Sequence, residues 1–108
     1  MKVLQVMEAG KGRLIDMPIP RPGPGQVLIK VLAVTTCPQW DLHLKNNQPM
    51  FVGHQFHYPY TAGQPGHEAA GLIAAVGLGV KDYQPGDLVC VWKDAGHDKQ
   101  GCYAQYVL

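Results

Sequence analysis

Residues 66–71 read Gly-His-Glu-Ala-Ala-Gly and lie between a Gly-Gln-Pro turn signal at positions 63–65 and an apolar run at positions 72–76. This pattern predicts a strand from Glu68 to Val76 that begins directly after a histidine. Imidazole nitrogens and carboxylate oxygens both bind zinc, so the start of this strand is a candidate metal site. A partly buried histidine beside a surface acid is the plain alternative, because one His-Glu pair supplies too few ligands.

The composition and the motifs exclude several classes of protein. The chain has 108 residues, a net charge of +1 and no cluster of basic side chains, which predicts one domain that does not bind nucleic acid. Its longest nearly apolar run, residues 69–80, is too short and too rich in glycine to cross a membrane. Three widely spaced cysteines favour reduced thiols in the cytoplasm over a disulfide framework. Gly71 stands where the H-E-x-x-H motif needs its second histidine, which excludes that metalloprotease motif.

Short strands between glycine and proline turns dominate the predicted secondary structure. Strands are predicted over residues 2–8, 13–17, 26–36, 68–76, 88–92 and 103–108, with one short helix over 38–44 and a polar loop over 93–101. Residues 26–36 are apolar on both faces, which predicts a strand buried on both sides. The aromatic stretch 45–65 is interpreted as an ordered loop over a pocket. Together these elements predict a mainly β fold, either a small sandwich or a partly open barrel, with little helix.

A cysteine follows the strongest predicted strand. Cys37 directly follows the predicted strand 26–36, and His67 directly precedes the predicted strand that starts at Glu68. Two adjoining strands could bring a thiolate and an imidazole together at their ends, and both groups bind zinc. The alternative for Cys37 is a small buried apolar side chain, which is what a free cysteine usually is.

The whole chain resembles the N-terminal, GroES-like catalytic domain of the zinc-dependent medium-chain alcohol dehydrogenases. The matching segments, in family order, are the Pro-Gly turn and strand at 24–31, the cysteine-ligand segment 37–43, the histidine signature 65–71, the turn and strand 85–89 and the closing segment 101–107. The resemblance implies a GroES-like, partly open β-barrel. It also implies that residues 1–108 are a catalytic domain, a fragment that lacks its nucleotide-binding Rossmann domain.

The resemblance implies roles for five residues. Cys37 and His67 would bind one catalytic zinc, and Glu68 would be a nearby carboxylate able to bind the metal. Asp41 would accept a hydrogen bond from the far nitrogen of His67, and His43 would serve a proton relay. In such enzymes zinc acts as a Lewis acid on the oxygen of a small alcohol or carbonyl substrate while hydride passes to or from NAD(P).

Three departures from the family pattern limit what the resemblance implies. The segment from Cys37 to His43 is one residue longer than usual, and it puts Gln39 or Trp40 where the relay has a hydroxyl. Only Cys102 follows position 91, so no structural zinc is expected. No glycine fingerprint in a βαβ unit could bind a dinucleotide, so NAD(P) is expected in the full-length protein only, and the isolated domain is expected to be inactive.

Two other functions stay open. A zinc-free quinone or enone reductase shares this fold, although such relatives generally lack the cysteine and histidine ligands. A free-standing GroES-like barrel could instead be a non-enzymatic binding or assembly module, with its exposed last strand as an edge for pairing. The expected partners of the dehydrogenase are a small alcohol or carbonyl compound and a Rossmann domain, with neither nucleic acid nor a membrane, and a homo-oligomer is possible.

Overall fold

The computed structural model describes residues 1–93 and 99–108. Its elements are β1 Lys2–Glu8, β2 Lys11–Asp16, β3 Val27–Val34, α1 Pro38–Asn46, β4 Glu68–Val76, β5 Leu88–Trp92 and β6 Tyr106–Val107. Among these residues, no helix has the length and apolar character needed to cross a membrane. The fold is mainly β with a single short helix in the described part, as the sequence predicts. The predicted polar loop 93–101 lies largely outside the described residues.

Two antiparallel sheets form the fold. β1 and β2 form a hairpin, and the other strands form a four-stranded sheet in the order β5-β4-β3-β6. In this sheet β3 runs against β4, with Val27 opposite Val76 and Val34 opposite Ala69. A single bridge from Val3 to Ala104 joins the hairpin to the segment before β6. The two sheets are not closed into one barrel, which agrees with the partly open architecture expected from the sequence.

The core consists of two apolar clusters. The sheet cluster is built on the four-stranded sheet and contains the buried residues Ile29, Ala69, Ile73, Cys102 and Val107. The helix cluster is built on α1 and the loop that follows it, and contains the buried residues Leu44, Phe56 and Tyr60. Edge-to-face contacts join the rings of Phe56 and Tyr60, whose centroids are 5.6 Å apart. The aromatic stretch is therefore packed against the helix and supplies Phe56 and Tyr60 to the core.

The structure corrects two of the predictions. β3 is not buried on both sides, because Leu32 is 56% exposed. The register shifts between Val31 and Ala33, and such a bulge leaves the extra residue unpaired and turns its side chain away from the regular alternation. The last strand is also shorter than predicted, because Tyr103 and Gln105 donate their backbone N–H groups to Gly63 and Lys2 instead of continuing a ladder with one neighbour.

Candidate metal centre

Cys37 and His67 lie at the same end of the four-stranded sheet. β3 ends three residues before Cys37, and β4 begins directly after His67. The backbone N–H of Thr35 extends this pairing by donating to the carbonyl of Glu68 at 3.1 Å. We name residues 35–46 the cysteine arm and residues 61–68 the histidine arm. Antiparallel pairing of β3 with β4 therefore starts both arms from adjacent strand ends.

The backbone fixes one nitrogen of the His67 ring. Nδ1 lies 2.8 Å from the carbonyl oxygen of Pro65. A carbonyl oxygen only accepts hydrogen bonds, so Nδ1 carries the proton and Nε2 of the neutral ring keeps its lone pair. His67 is half-buried. This is the tautomer in which an imidazole binds a metal through Nε2. Pro65 is a hydrogen-bond partner that was not predicted from the sequence.

Cys37 lies at the N-terminal cap of α1. Pro38 occupies the first helical position, where its missing N–H would have no helical partner, and the helix therefore begins immediately after the cysteine. The thiol is free and half-buried, and the backbone N–H of Cys37 donates to Oδ2 of Asp41 at 3.2 Å. A thiol beside a helix start and an imidazole with a free Nε2 are the kinds of ligand that zinc prefers.

Asp41 has partners other than the one that the resemblance implies. The hydroxyl of Tyr103 donates to Oδ1 at 3.2 Å and to Oδ2 at 3.1 Å. The one-residue extension of the segment places Asp41 four positions after Cys37, where its carboxylate reaches back to the first turn of the helix. Burial, and then the negative charge of Asp41, raise the pKa of Tyr103 above its ordinary value. Tyr103 therefore donates as a neutral phenol, and no local sequence signal could have indicated a partner 62 positions away.

Glu68 and His43 also make bonds that the sequence analysis did not anticipate. The exposed carboxylate of Glu68 accepts a hydrogen bond of 2.8 Å from the hydroxyl of Thr35. His43 Nδ1 lies 3.1 and 3.2 Å from the carbonyl oxygens of Gln48 and Pro49. Within residues 1–93 and 99–108, no three His, Cys, Asp or Glu side chains come together as a metal-binding group.

In the described residues, two side-chain arrangements differ from those that the family resemblance implies. Cys37, His67 and Glu68 do not form one group of three ligands, because Glu68 is bonded to Thr35 and neighbouring residues of extended chain point to opposite sides. The far nitrogen of His67 is bonded to Pro65 and not to Asp41. The metal-binding and relay roles of these residues stay predictions.

Backbone contacts hold the histidine arm. The N–H of Gly101 donates to Ala62, and the N–H of Cys102 donates to Gly66, at 3.0 and 2.8 Å. A Cβ added to Gly63 would overlap the carbonyl oxygen of Gly101, and a Cβ added to Gly101 would overlap that of Gly63. We name this Gly63–Gly101 contact the glycine clasp. It leaves no room for a side chain at either position and sets the path of the chain into His67.

Known proteins match both this sequence and this fold. A family model described as the alcohol dehydrogenase GroES-like domain matches residues 23–108. The chain belongs to the alcohol dehydrogenase GroES-like domain family. The family expected from the sequence is therefore confirmed.

Dehydrogenases are among the relatives of this GroES-like domain. An L-threonine 3-dehydrogenase from Thermococcus kodakarensis is 37% identical over 89 residues, covering 82% of this chain and 24% of the relative. An NAD-dependent alcohol dehydrogenase from Sulfurisphaera tokodaii is 33% identical over 135 residues, covering 100% of this chain and 38% of the relative. A solved alcohol dehydrogenase superfamily protein from Novosphingobium aromaticivorans aligns with a TM-score of 0.79 and 30% identity, covering 98% of this chain and 31% of that one. The GroES-like domain thus spans about a quarter to two fifths of the length of these relatives.

Proposed function

We propose that this GroES-like domain is the zinc-binding catalytic part of an NAD(P)-dependent alcohol dehydrogenase that acts on a small alcohol or carbonyl compound. The observation that carries the proposal is the placement of Cys37 and His67 on arms that leave adjacent ends of β3 and β4. Two relatives are named as alcohol and threonine dehydrogenases, which supports an oxidoreductase. The nicotinamide cofactor is assigned to a separate domain of the full-length protein.

Cys37 and His67 would hold the zinc through Sγ and Nε2. The donor set fits, because zinc prefers thiolate and imidazole ligands, and the Nδ1 contact with Pro65 leaves Nε2 free. A catalytic zinc has three protein ligands, so one more must join this pair. Glu68 is the candidate, and its carboxylate would have to release the hydroxyl of Thr35 and turn to the side of the strand that carries His67. When bound, zinc supplies Lewis-acid polarisation of the substrate oxygen.

The chain's own residues orient these ligands and provide a candidate route for the proton. The carbonyl of Pro65 keeps the proton of His67 on Nδ1, and the carboxylate of Asp41 holds the backbone N–H beside the thiol of Cys37. The proton of the substrate hydroxyl needs an acceptor, and we assign that role to His43. Its Nδ1 is occupied by backbone carbonyl oxygens, so Nε2 is the nitrogen that would take the proton.

Metal removal from the full-length gene product tests this function. Chelation is expected to abolish the oxidation of alcohols by NAD(P), and added zinc is expected to restore it. Cys37→Ala and His67→Ala should each reduce the bound zinc to below about a tenth of a molar equivalent, because two remaining ligands bind zinc poorly. The matched controls are Cys90→Ala and His57→Ala, which change an exposed cysteine and an exposed histidine.

Two outcomes would overturn the proposal. One is full dehydrogenase activity after complete metal removal. The other is reduction of quinones or enones by a protein that contains no zinc, which would identify the zinc-free reductase instead.

A further inference from the structure

We infer that Tyr103 is a positioning residue for the candidate ligands, because its hydroxyl holds the cysteine arm while its backbone and ring hold the histidine arm. The functional meaning of this inference rests on the proposed zinc site. The structural part does not, because it concerns contacts among residues of this chain alone.

The first contact is made by the Tyr103 hydroxyl. It donates to both oxygens of Asp41, at 3.1 and 3.2 Å, and Oδ2 of Asp41 also accepts the N–H of Cys37 at 3.2 Å. The side chain of Cys37 makes no capping hydrogen bond, and the carboxylate of Asp41 reaches back to the N–H of the N-cap residue itself. A chain of hydrogen bonds therefore leads from the phenol to the backbone that carries the thiol.

The second contact is made by the rest of Tyr103. Its backbone N–H donates to the carbonyl of Gly63 at 3.0 Å, in the turn before His67. A Cβ added to Gly66 would lie 2.7 Å from the backbone nitrogen of Tyr103 and 2.9 Å from Cγ of its ring. The ring is thus packed directly on the residue that precedes His67. One tyrosine touches both arms, so a shift of its ring would change the separation between the thiol and the imidazole.

The bond between Tyr103 and Asp41 lies in the wall of a cleft. Both residues line a cleft of about 360 Å3 whose other walls include Leu4, Val6, Leu44 and Pro65. A hydrogen bond to a charged group is stronger than one between neutral groups. Burial and the charge of Asp41 raise the pKa of Tyr103, so the phenol keeps its proton throughout the neutral range. The hydrogen bond from Tyr103 to Asp41, which anchors the cysteine arm, is therefore present throughout the neutral pH range.

The variant Tyr103→Phe in the full-length gene product tests the inference, because it removes only the hydroxyl. In the metal-free protein, NMR-detected hydrogen exchange of the Cys37 amide should become at least about tenfold faster, since a helix-start N–H loses its fixed acceptor. The zinc dissociation constant should rise about tenfold, as is typical when a residue that orients a metal ligand is removed. With Co2+ in place of zinc, the thiolate-to-cobalt charge-transfer band should shift.

Tyr58→Phe is the matched control. It removes the hydroxyl of another half-buried tyrosine, which donates to the carbonyl of Leu44 at 2.6 Å, in the last turn of α1 and away from Cys37 at its start. This variant should lose stability in the same way and yet leave the Cys37 amide, the zinc affinity and the cobalt spectrum unchanged. Asp41→Asn is the second variant, which keeps the shape of the side chain. It should also speed the exchange of the Cys37 amide, and adding Tyr103→Phe to it should change that rate by less than twofold.

The outcomes separate this inference from the proposed function. Wild-type exchange of the Cys37 amide in both Tyr103→Phe and Asp41→Asn would overturn the inference, whatever the metal does. Faster exchange in these variants of a protein that binds no zinc would support the positioning contact and refute the proposed zinc site. Equal effects of Tyr103→Phe and Tyr58→Phe on the Cys37 amide would reduce Tyr103 to an ordinary stabilising residue and overturn the inference.

Discussion

The two arms that carry the candidate ligands are held in place by different kinds of contact. The histidine arm is fixed by backbone hydrogen bonds to residues 101–103 and by the glycine clasp. The cysteine arm is fixed by side chains, namely the carboxylate of Asp41 and the apolar side chains of the helix cluster. A close backbone contact between two glycines leaves no room for an added atom. A side-chain contact, in contrast, loses stability gradually as the side chain is shortened. We therefore expect substitutions in the contacts of the histidine arm to destabilise the protein strongly. Substitutions in the contacts of the cysteine arm should destabilise it less.

The largest effect is expected for Gly63→Ala in the glycine clasp. Gly63 has φ +78° and its Cβ would overlap Gly101, so the variant should lose about 3–5 kcal/mol of unfolding free energy. Gly79→Ala is the matched control, because Gly79 has φ +84° and no atom within 4 Å of the added Cβ, and it should lose only about 1 kcal/mol. Denaturant unfolding measures both. Equal losses of unfolding free energy in the two variants would show that the positive φ of glycine, and not the overlap with Gly101, causes the destabilisation.

A smaller loss is expected for Leu44→Ala in the helix cluster. Leu44 is 2% exposed, and its truncation should cost about 2–4 kcal/mol. Leu42→Ala in the same helix is the control, since Leu42 is 52% exposed and should cost less than about 1 kcal/mol. Unfolding followed by tryptophan fluorescence reports on the cluster, because Trp40 packs against it. A loss of less than about 1 kcal/mol for Leu44→Ala would mean that this cluster does not support the cysteine arm.

A third effect is expected in the dependence of stability on pH. The pKa of Tyr103 is raised in the folded state, first by burial and then by Asp41, above the ordinary value of 10.0. Its contribution to stability is therefore complete below pH 10.0 and is lost as the pH rises above that value. The wild-type protein should lose stability more steeply above this pH than Tyr103→Phe. Parallel curves for the two proteins would contradict the coupling of the phenol to Asp41.

The smallest effect is expected where the two arms meet. Thr35→Val removes the exposed hydrogen bond to Glu68 and keeps the backbone bond from Thr35 N–H. The loss should be below about 1 kcal/mol, because exposed polar contacts compete with water. Glu68→Gln should give a similarly small change in the same unfolding assay. A loss above about 2 kcal/mol in either variant would show that this contact, and not the two separate anchors, ties the arms together.

Local signals in the sequence were sufficient for most of the fold. The bounds predicted for β1, β4 and β5 agree with the structure, because a glycine or proline turn lies at one end at least of each of these strands. In the turn at 84–87 the N–H of Asp87 donates to the carbonyl of Gln84, and Gly86 has φ +98°, which suits the second central position of a type II turn. The helix extends two residues beyond the predicted Leu44, since the left-handed residue Asn47 ends it.

Long-range contacts limited the prediction of the candidate site. The sequence placed Cys37 and His67 at strand ends, and the pairing of β3 with β4 makes those ends neighbours. The bond from Tyr103 to Asp41 joins residues 62 positions apart, and no periodicity encodes such a pair. The glycine clasp is equally invisible, because a glycine in a sequence does not show which backbone approaches it. Prediction therefore indicated that the two candidate ligands lie at neighbouring strand ends and missed the contacts that orient them.

The glycine clasp also determines the order in which the two arms can form. The loop that joins its halves runs from Gly63 to Gly101, and closing such a loop costs conformational entropy before any contact compensates for it. The contacts among Leu44, Phe56 and Tyr60 close a much shorter loop and can form earlier. Because synthesis proceeds from the N-terminus, the turn before His67 can acquire its final shape only after residue 103 has left the ribosome. A nascent chain could thus form the helix that follows Cys37 before Tyr103 is available to anchor either arm.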